Sequence, residues 1–406
     1  MRVLWVFDRL HPAWQQVANR LVQGGDCSLE IMARYDEPPQ LATSIPLTQL
    51  SCHSKIDFKA RQKIRQKIIS GRFDIAHAYT SRNLANLIGA SRGLRHKPKI
   101  VGYRGTTNRL RALDPCNWIS FLNPSVSKIT CVSQASERAL RQSGIPQSKL
   151  AAVVEGCDLD GFREPDPSEI RDFNIPQDAF VVGAVANMRP VKGIDLLLRA
   201  ALELTDLRNI YWLLIGKVSD PRIPELAADP RISNRVRLVG PRPIGLRHAE
   251  SFVIIASPSR MEGFGNAVLE AMAQKVCPVV SNVGGLTELI KDGVHGLVVP
   301  PEDPGALADA IRLLYCDSKW RRQLAESAQR RTLHEFSIEA WGQRLALVYQ
   351  ELAEKPAPRG CSQLSNVVSL ELERRCCVWL RVIGGKSLGW PRIRSQIDCQ
   401  IPPRTA

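Results

Sequence analysis

The chain has 406 residues, 44% hydrophobic and 23% charged, which is ample for a packed core and excludes a compositionally disordered protein; at about 100–200 residues per domain, two domains are expected. No run approaches the roughly 20 apolar residues of a membrane span, and the opening Met1–Phe7 stretch turns polar too soon for a signal peptide, so a cytosolic protein is expected. The net charge of +15 is uneven: residues 1–165 carry 24 Lys/Arg against 13 Asp/Glu and residues 166–355 carry 23 against 24, so an anionic partner would meet the first half.

Short apolar runs alternate with helical stretches, the pattern of parallel sheets covered by helices. In the first half the expected strands are Arg2–Phe7, Ser28–Met32, Ile75–Ala78, Lys99–Tyr103, Ile129–Val132 and Ala151–Val154. In the second they are Phe180–Ala186, Ile210–Ile215, Val236–Val239, Phe252–Ala256, Cys277–Ser281 and a short Gly296–Val299. Two α/β sets of similar size predict two Rossmann-like domains, residues 1–165 and 166–336, divided in the Asp-, Pro- and Gly-rich segment Cys157–Pro176. A closing amphipathic helix is expected over 337–355, with Ala340, Trp341, Leu345, Val348 and Leu352 on one side. Residues 356–406 then read as a basic, partly disordered tail without a sustained period. The eleven cysteines form no C-x-x-C pair and read as ordinary thiols of a reducing compartment.

Between Lys55 and Ile69, Ile56, Ala60, Ile64 and Ile68 share one helix face, ringed by six Lys/Arg. Such a helix either packs on the sheet with a solvated basic back or lies against an anionic leaflet, and the nearby Arg109, Arg111, Trp118, Phe121 and Leu122 add basic and apolar groups to that surface. No helix-turn-helix, zinc-finger or aromatic RNA-binding motif accompanies the charge, so nucleic acid is not the expected partner.

The most informative stretch is Ser257–Ala273. It follows an apolar strand, turns through Gly263-Phe264-Gly265 and starts a helix that Asn266 can cap. A glycine turn feeding a helix N-terminus presents free N–H groups to a phosphate. Glu262 and Glu270 flank that anion site from opposite ends, a geometry suited to hydroxyls on either side of a diphosphate. A satisfied loop carboxylate and a solvated helix carboxylate would give the same spacing.

The wider context resembles the nucleotide-sugar domain of the retaining family 4 glycosyltransferases: Pro258-Ser259, Glu262-Gly263-Phe264-Gly265, Glu270, Val279–Ile290 and Gly293–Pro300 stand in the family's order and spacing. The resemblance implies two facing Rossmann-like domains of the GT-B type, the donor lying mainly on the second. It assigns Glu262 to the transferred sugar and Glu270 to the ribose hydroxyls, with Gly263, Phe264, Gly265 and Asn266 around the donor. The segment Val185–Asp195 is similar to the one whose Arg and Lys neutralise the donor diphosphate. Lys192 matches, but Asn187 holds the usual place of the Arg, and Arg189 is the expected substitute.

The first half resembles the family more faintly, through Phe73–Ala78, Val101–Gly105, Ile129–Ser133 and Val153–Asp158. Asp8-Arg9-Leu10-His11 replaces a Gly-Gly loop, and Arg104 stands where relatives often have His, so Arg9 and Arg104 are expected to face an anionic acceptor, with His77 a third acceptor-side candidate. Asp158-Leu159-Asp160 has the form of a metal-binding D-x-D, yet it falls in a segment matching a family linker (Gly156, Asp158, Phe162), and no metal or other cofactor is expected. The resulting expectation is a nucleotide-sugar-dependent retaining transferase, with Arg189, Lys192 and Glu262 catalytic. It would build a cell-envelope glycan such as lipopolysaccharide core or another lipid-linked saccharide, from the cytoplasm or the inner face of its membrane. A nucleotide-sugar epimerase or hydrolase on the same scaffold, a sugar-binding relative without turnover and a basic nucleic-acid binder are the alternatives.

Overall fold

The structure, a computed structural model, describes residues 1–158, 173–241 and 252–354. The expected tail, Asp160, Phe162 and most of the expected domain boundary lie outside the described residues.

Two parallel sheets organise the chain. The first contains β1 (Arg2–Arg9), β2 (Ser28–Arg34), β3 (Leu47–Gln49), β4 (Ile75–Ala78), β5 (Lys99–Arg104), β6 (Val126–Cys131) and β7 (Leu150–Ala152), in the order β3-β2-β1-β4-β5-β6-β7. The second contains β8 (Phe180–Val185), β9 (Ile210–Ile215), β10 (Val236–Val239), β11 (Ile254–Ser257), β12 (Cys277–Ser281) and β13 (Leu297–Val299), in the order β10-β9-β8-β11-β12-β13. Strands covered on both faces by helices read as continuous apolar runs. In β1 the residues Val3 to Phe7 are all buried, and β4 is buried throughout. Strand β3 was not among the expected elements, because three residues with no buried position carry no period to read.

The closing helix is Ile338–Glu354, and it packs on the first domain rather than the second that precedes it. Trp341 meets Trp14 at a ring-centroid distance of 4.3 Å, and Leu345, Tyr349 and Leu352 join the cluster around Trp5 and Trp14. To reach it the chain returns beside its own outward crossing: Cys157 N–H donates to Phe336 O at 2.9 Å, and Cys157 pairs with Ser337 as an isolated parallel bridge. Gly156 is needed at this crossing, since a Cβ there would stand 2.7 Å from Phe336 O.

At the centre of the first domain the Trp5 indole N–H donates to the Tyr349 hydroxyl (2.7 Å), which meets His77 Nδ1 (2.7 Å), while His77 Nε2 faces Thr130 Oγ1 (3.1 Å). His77 is fully buried, and burial pushes its imidazole down to about 3, so it is neutral. The expected acceptor-side His77 is therefore a core residue bonded on both ring nitrogens, and no face of it reaches a ligand.

Candidate active site

Strands β8 and β11 are neighbours at the point where the second sheet's order reverses, and in open α/β sheets ligands bind beyond the carboxyl ends of such strands. A cavity of about 230 Å³ opens there. Ala184–Ala186 and Ser257–Ser259 form its floor, Lys192 and Glu262 carry its charges, and the first helical turn after Gly265 closes one side. The first domain supplies the facing wall with Tyr103, Gly105, Val132 and Glu155.

Lys192 ends a one-turn 3₁₀ helix, Pro190–Lys192, and its Nζ lies 2.6 Å from Glu262 Oε2. Ser259 Oγ is a second partner of that oxygen at 3.3 Å. A cation and a carboxylate thus share the cavity at the start of a helix whose first N–H groups lack intrahelical acceptors, an arrangement able to hold an anion with a hydroxyl acceptor beside it. Gly265, not the expected Asn266, occupies the N-cap position of the helix Asn266–Ala273, at φ 107°, where a side chain would be strained. Asn266 is freed for another partner: its Nδ2 donates to Glu155 Oε2 across the domain boundary at 2.8 Å. Phe264 is 3% exposed and anchors the turn in the core against Val132, Val268 and Leu286.

Arg189 caps the 3₁₀ turn with its backbone, and its side chain is exposed and not among the cavity-lining groups. Of the two cations expected at the diphosphate, the structure brings only Lys192 into the cavity.

Glu270 lines a second, adjoining chamber of about 200 Å³, with His11, Trp14 and Trp341 from the first domain and its closing helix. Tyr103, Glu155 and Asn266 line both chambers and join them. Each alone falls short of the roughly 300 Å³ at which ligand pockets begin, and the two together exceed it. Burial, with the Glu155 charge added, pushes the Glu270 carboxyl up to about 7. Burial likewise raises Glu155, opposed by the hydrogen bonds it accepts from Tyr103 Oη (2.5 Å) and Asn266.

Neither arginine expected at the acceptor reaches these chambers. Arg9 pairs with Asp36 at 2.8 Å on the surface, both side chains more than half exposed. Arg104 is folded over the Phe121 ring at 5.3 Å and donates to Asn108 O, and desolvation lowers its pKa. Asp158 accepts a hydrogen bond from Gln16 Nε2. The sequence assigns no role to Glu155, Tyr103 or Ser133, although all three lie in the segments that carry the faint resemblance. Ser133 Oγ donates to Gly263 O at 2.7 Å, and Glu288 accepts from Gln134 N and Ala135 N at 2.8 and 2.6 Å, so both tie the donor-side loops to the first domain. Nothing in their local spacing signals partners more than 100 residues away.

On the basic helix Phe58–Gly71, Ala60, Ile64 and Ile68 face the core, and Asp57 caps its start through Ala60 N–H. Its outer face leaves Lys59 and Lys63 exposed beside Phe58 (75% exposed) and Ile69 (57%). Lys67 is bound to Glu30 at 2.6 Å, and Phe121, expected with the membrane-facing aromatics, is buried. Among the described residues no helix is long and apolar enough to cross a membrane.

The profile of the Glycosyl transferases group 1 family matches residues 166–331, and that of Glycosyltransferase Family 4 matches residues 16–160. The chain belongs to the group 1/family 4 glycosyltransferases. A D-inositol 3-phosphate glycosyltransferase of Frankia alni is 35% identical over 196 residues, 44% of this chain and 48% of that protein. The alpha-D-kanosaminyltransferase of Streptomyces kanamyceticus is 28% identical over 63% of this chain and 69% of that protein. The chain thus spans about half the length of the first of these curated relatives. Among solved structures, Anabaena Alr3699/HepE in complex with UDP superposes with a TM-score of 0.72 at 21% identity, over 86% of this chain and all of that one. The apo lipopolysaccharide outer core galactosyltransferase WaaB superposes with a TM-score of 0.62 at 14% identity, over 86% of this chain and all of that one. These likenesses carry the fold, two facing Rossmann-like domains of the GT-B type.

Proposed function

We propose that this family 4 member is a nucleotide-sugar-dependent retaining transferase that glycosylates a hydroxyl of a cell-envelope saccharide. The observation that carries the reading is the Lys192–Glu262 pair in the cavity at the strand-order reversal, beside a helix start able to hold a phosphate. The bond between the anomeric carbon and the diphosphate oxygen breaks, and Lys192 with the N–H groups after Gly265 meets the negative charge that grows on the leaving group. The acceptor oxygen joins the same face of the sugar, and its proton passes to the departing phosphate oxygen. Glu262 accepts hydroxyls of the transferred sugar and Glu270 those of the ribose; neither acts as a nucleophile. Arg189, exposed three residues before Lys192, is the second cation of this proposal once its side chain swings in from solvent. No metal takes part, the cations performing that task.

Structural neighbours solved with UDP and UDP-glucose support a nucleotide-sugar donor. The lipopolysaccharide galactosyltransferase among the neighbours supports an envelope acceptor, and exposed Lys59 and Lys63 beside Phe58 support work at an anionic membrane surface. A second reading, transfer to a cyclitol or an amino sugar, is favoured by the chamber in which Glu155 and Glu270 face Trp14 and Trp341. Carboxyl groups accept hydroxyl or ammonium protons, and aromatic faces stack on sugar rings. The name of the D-inositol 3-phosphate relative contains a cyclitol, in that case a phosphorylated one.

A thermal-shift panel of UDP, GDP and ADP and their sugar conjugates tests the donor, since a bound ligand stabilises by RT ln(1 + [L]/Kd). Product analysis with and without lipid-linked saccharides and free cyclitols then tests the reaction. A new glycoside only when acceptor is present supports transfer; free sugar or an epimer in its absence would replace it with hydrolysis or epimerisation.

A further inference from the structure

Lys192 must stand at the diphosphate while carried on a single 3₁₀ turn, a short element with few bonds of its own. That turn is held from outside by one residue of the opposite loop. Arg260 donates its backbone N–H to Val191 O at 2.8 Å and its Nη1 to Pro190 O at 2.6 Å. The same guanidinium binds Asp195 bidentately, at 2.7 and 2.9 Å, and its Nε meets Glu302 at 2.6 Å. Asp195 lies in the first turn of the helix Ile194–Glu203 that follows and is 2% exposed. Its charge is shared by Arg222 at 3.1 Å, and Arg222 in turn grips Asp220, whose N–H donates to Met188 O just before the turn. Both ends of the segment 188–195 are thereby fixed. On the remaining side Gly193, at φ 65°, lies against Pro258 O with no space for a Cβ.

Of the five N–H donors of a guanidinium, four in Arg260 are engaged by these partners. The side chain does not line the cavity, so it is not itself a phosphate ligand in this arrangement. What it does geometrically is bind residue 260, two positions before Glu262, to residues 190 and 191, next to Lys192.

We infer that Arg260 is a positioning residue that sets the separation of Lys192 and Glu262, and through it the placement of the donor diphosphate relative to the transferred sugar. The inference rests on the transferase reading above. A lysine keeps the charge but cannot make the planar fork to Asp195 while also reaching Pro190 O and Glu302. Misplacement of a reacting group by 1 Å costs on the order of 10²-fold in rate, so a loosened clamp is expected to act on turnover well beyond its effect on folding.

The test is a double-mutant cycle of Arg260→Lys with Lys192→Ala in the full chain, read by donor turnover and by calorimetric affinity for UDP, GDP and ADP. Arg260→Lys is expected to lower turnover by about 10- to 10²-fold in the wild-type background and by less than about twofold once Lys192 is already gone, because the clamp then has nothing left to place. Donor KM is expected to change less than kcat. Equal losses in both backgrounds, or no loss in either, would overturn the inference and leave Arg260 a residue of general stability. If Arg260→Lys melts well below the wild type, Glu302→Ala, which removes only the exposed Nε partner, is expected to show a smaller loss with the same dependence on Lys192. A wild type that binds none of the three nucleoside diphosphates would sink the transferase reading and this inference together. Binding with additive losses sinks the inference alone.

Discussion

Lys192 Nζ stands 2.6 Å from Glu262 Oε2, joining the loop after β8 to the loop after β11 across 70 residues of sequence. Both side chains are more than three-quarters buried, yet both line the cavity, so their pairing leaves them open to a ligand. Lys192→Ala is expected to lower kcat by roughly 10²-fold or more, the usual scale for removing a group aimed at charge that develops in the transition state. The melting temperature is expected to fall far less. Wild-type turnover in this variant would remove Lys192 from the reaction. Arg189→Ala, if Arg189 is recruited as proposed, loses activity as well; unchanged turnover would leave Lys192 as the sole side-chain cation.

Since the proposed leaving-group stabilisation comes from cations and backbone, turnover is expected to persist in EDTA. Loss of activity restored by Mg²⁺ would return attention to Asp158 and Asp160.

The Glu270 carboxyl, pushed up to about 7 from an ordinary 4.5, holds a proton in the folded state that the unfolded chain releases. The folded state therefore binds more protons between these values. Its stabilising contribution is complete below about pH 4.5 and is lost as pH rises through about 7. At about 1.4 kcal/mol per unit, the fall across that window is on the order of 3 kcal/mol. Urea denaturation from pH 5 to pH 8 is expected to show it, and Glu270→Gln, which cannot ionise, is expected to flatten the slope. An equally steep slope in the variant would move the titration to another group.

The described core is complete at residue 354, since both sheets and the helix Ile338–Glu354 precede it. A chain ending at Lys355 is expected to fold with an unchanged melting temperature. One ending at Phe336 is expected to be insoluble or unfolded, because it uncovers Trp5 and Trp14 and removes buried Trp341 and Tyr349. Deleting a single buried aromatic side chain typically costs about 3–5 kcal/mol, and a whole domain holds only about 5–15. A soluble, cooperatively melting chain without the helix would contradict this account of the first domain.

If the first domain meets an anionic leaflet, Lys59 and Lys63 are the cations of the basic helix to reverse, because Lys67 is already neutralised by Glu30. Changing both to Glu removes about 2 kcal/mol of attraction at about 1 kcal/mol per cation, or about 30-fold in partitioning, before new repulsion is counted. Sedimentation with phosphatidylserine vesicles reads the effect, and added salt is expected to weaken wild-type binding in the same direction. Equal sedimentation of variant and wild type would leave this face simply solvated.

The two sheets and the donor segment were legible in the sequence because their determinants are local. Apolar runs such as Val3–Phe7 and Ile210–Ile215 mark strands covered on both faces, and Glu262 to Glu270 with its glycine turn is nine consecutive residues. The resemblance also assigned Glu262 to the transferred sugar and Lys192, in a separate segment, to the diphosphate of the same donor. It did not determine which of His77, Arg9, Arg104 and Glu155 faces the cleft, since each is a single polar residue in or just after a strand and nothing local says which way it turns. The tertiary structure decided that. His77 went to the core because Tyr349, 272 residues later, supplies its hydrogen bond; Arg9 and Arg104 found Asp36 and Asn108 outside the chambers; and Glu155 met Asn266 across the domain boundary. A polar side chain goes where its hydrogen-bonding partner is, and when that partner lies on another domain no periodicity along the chain can announce it.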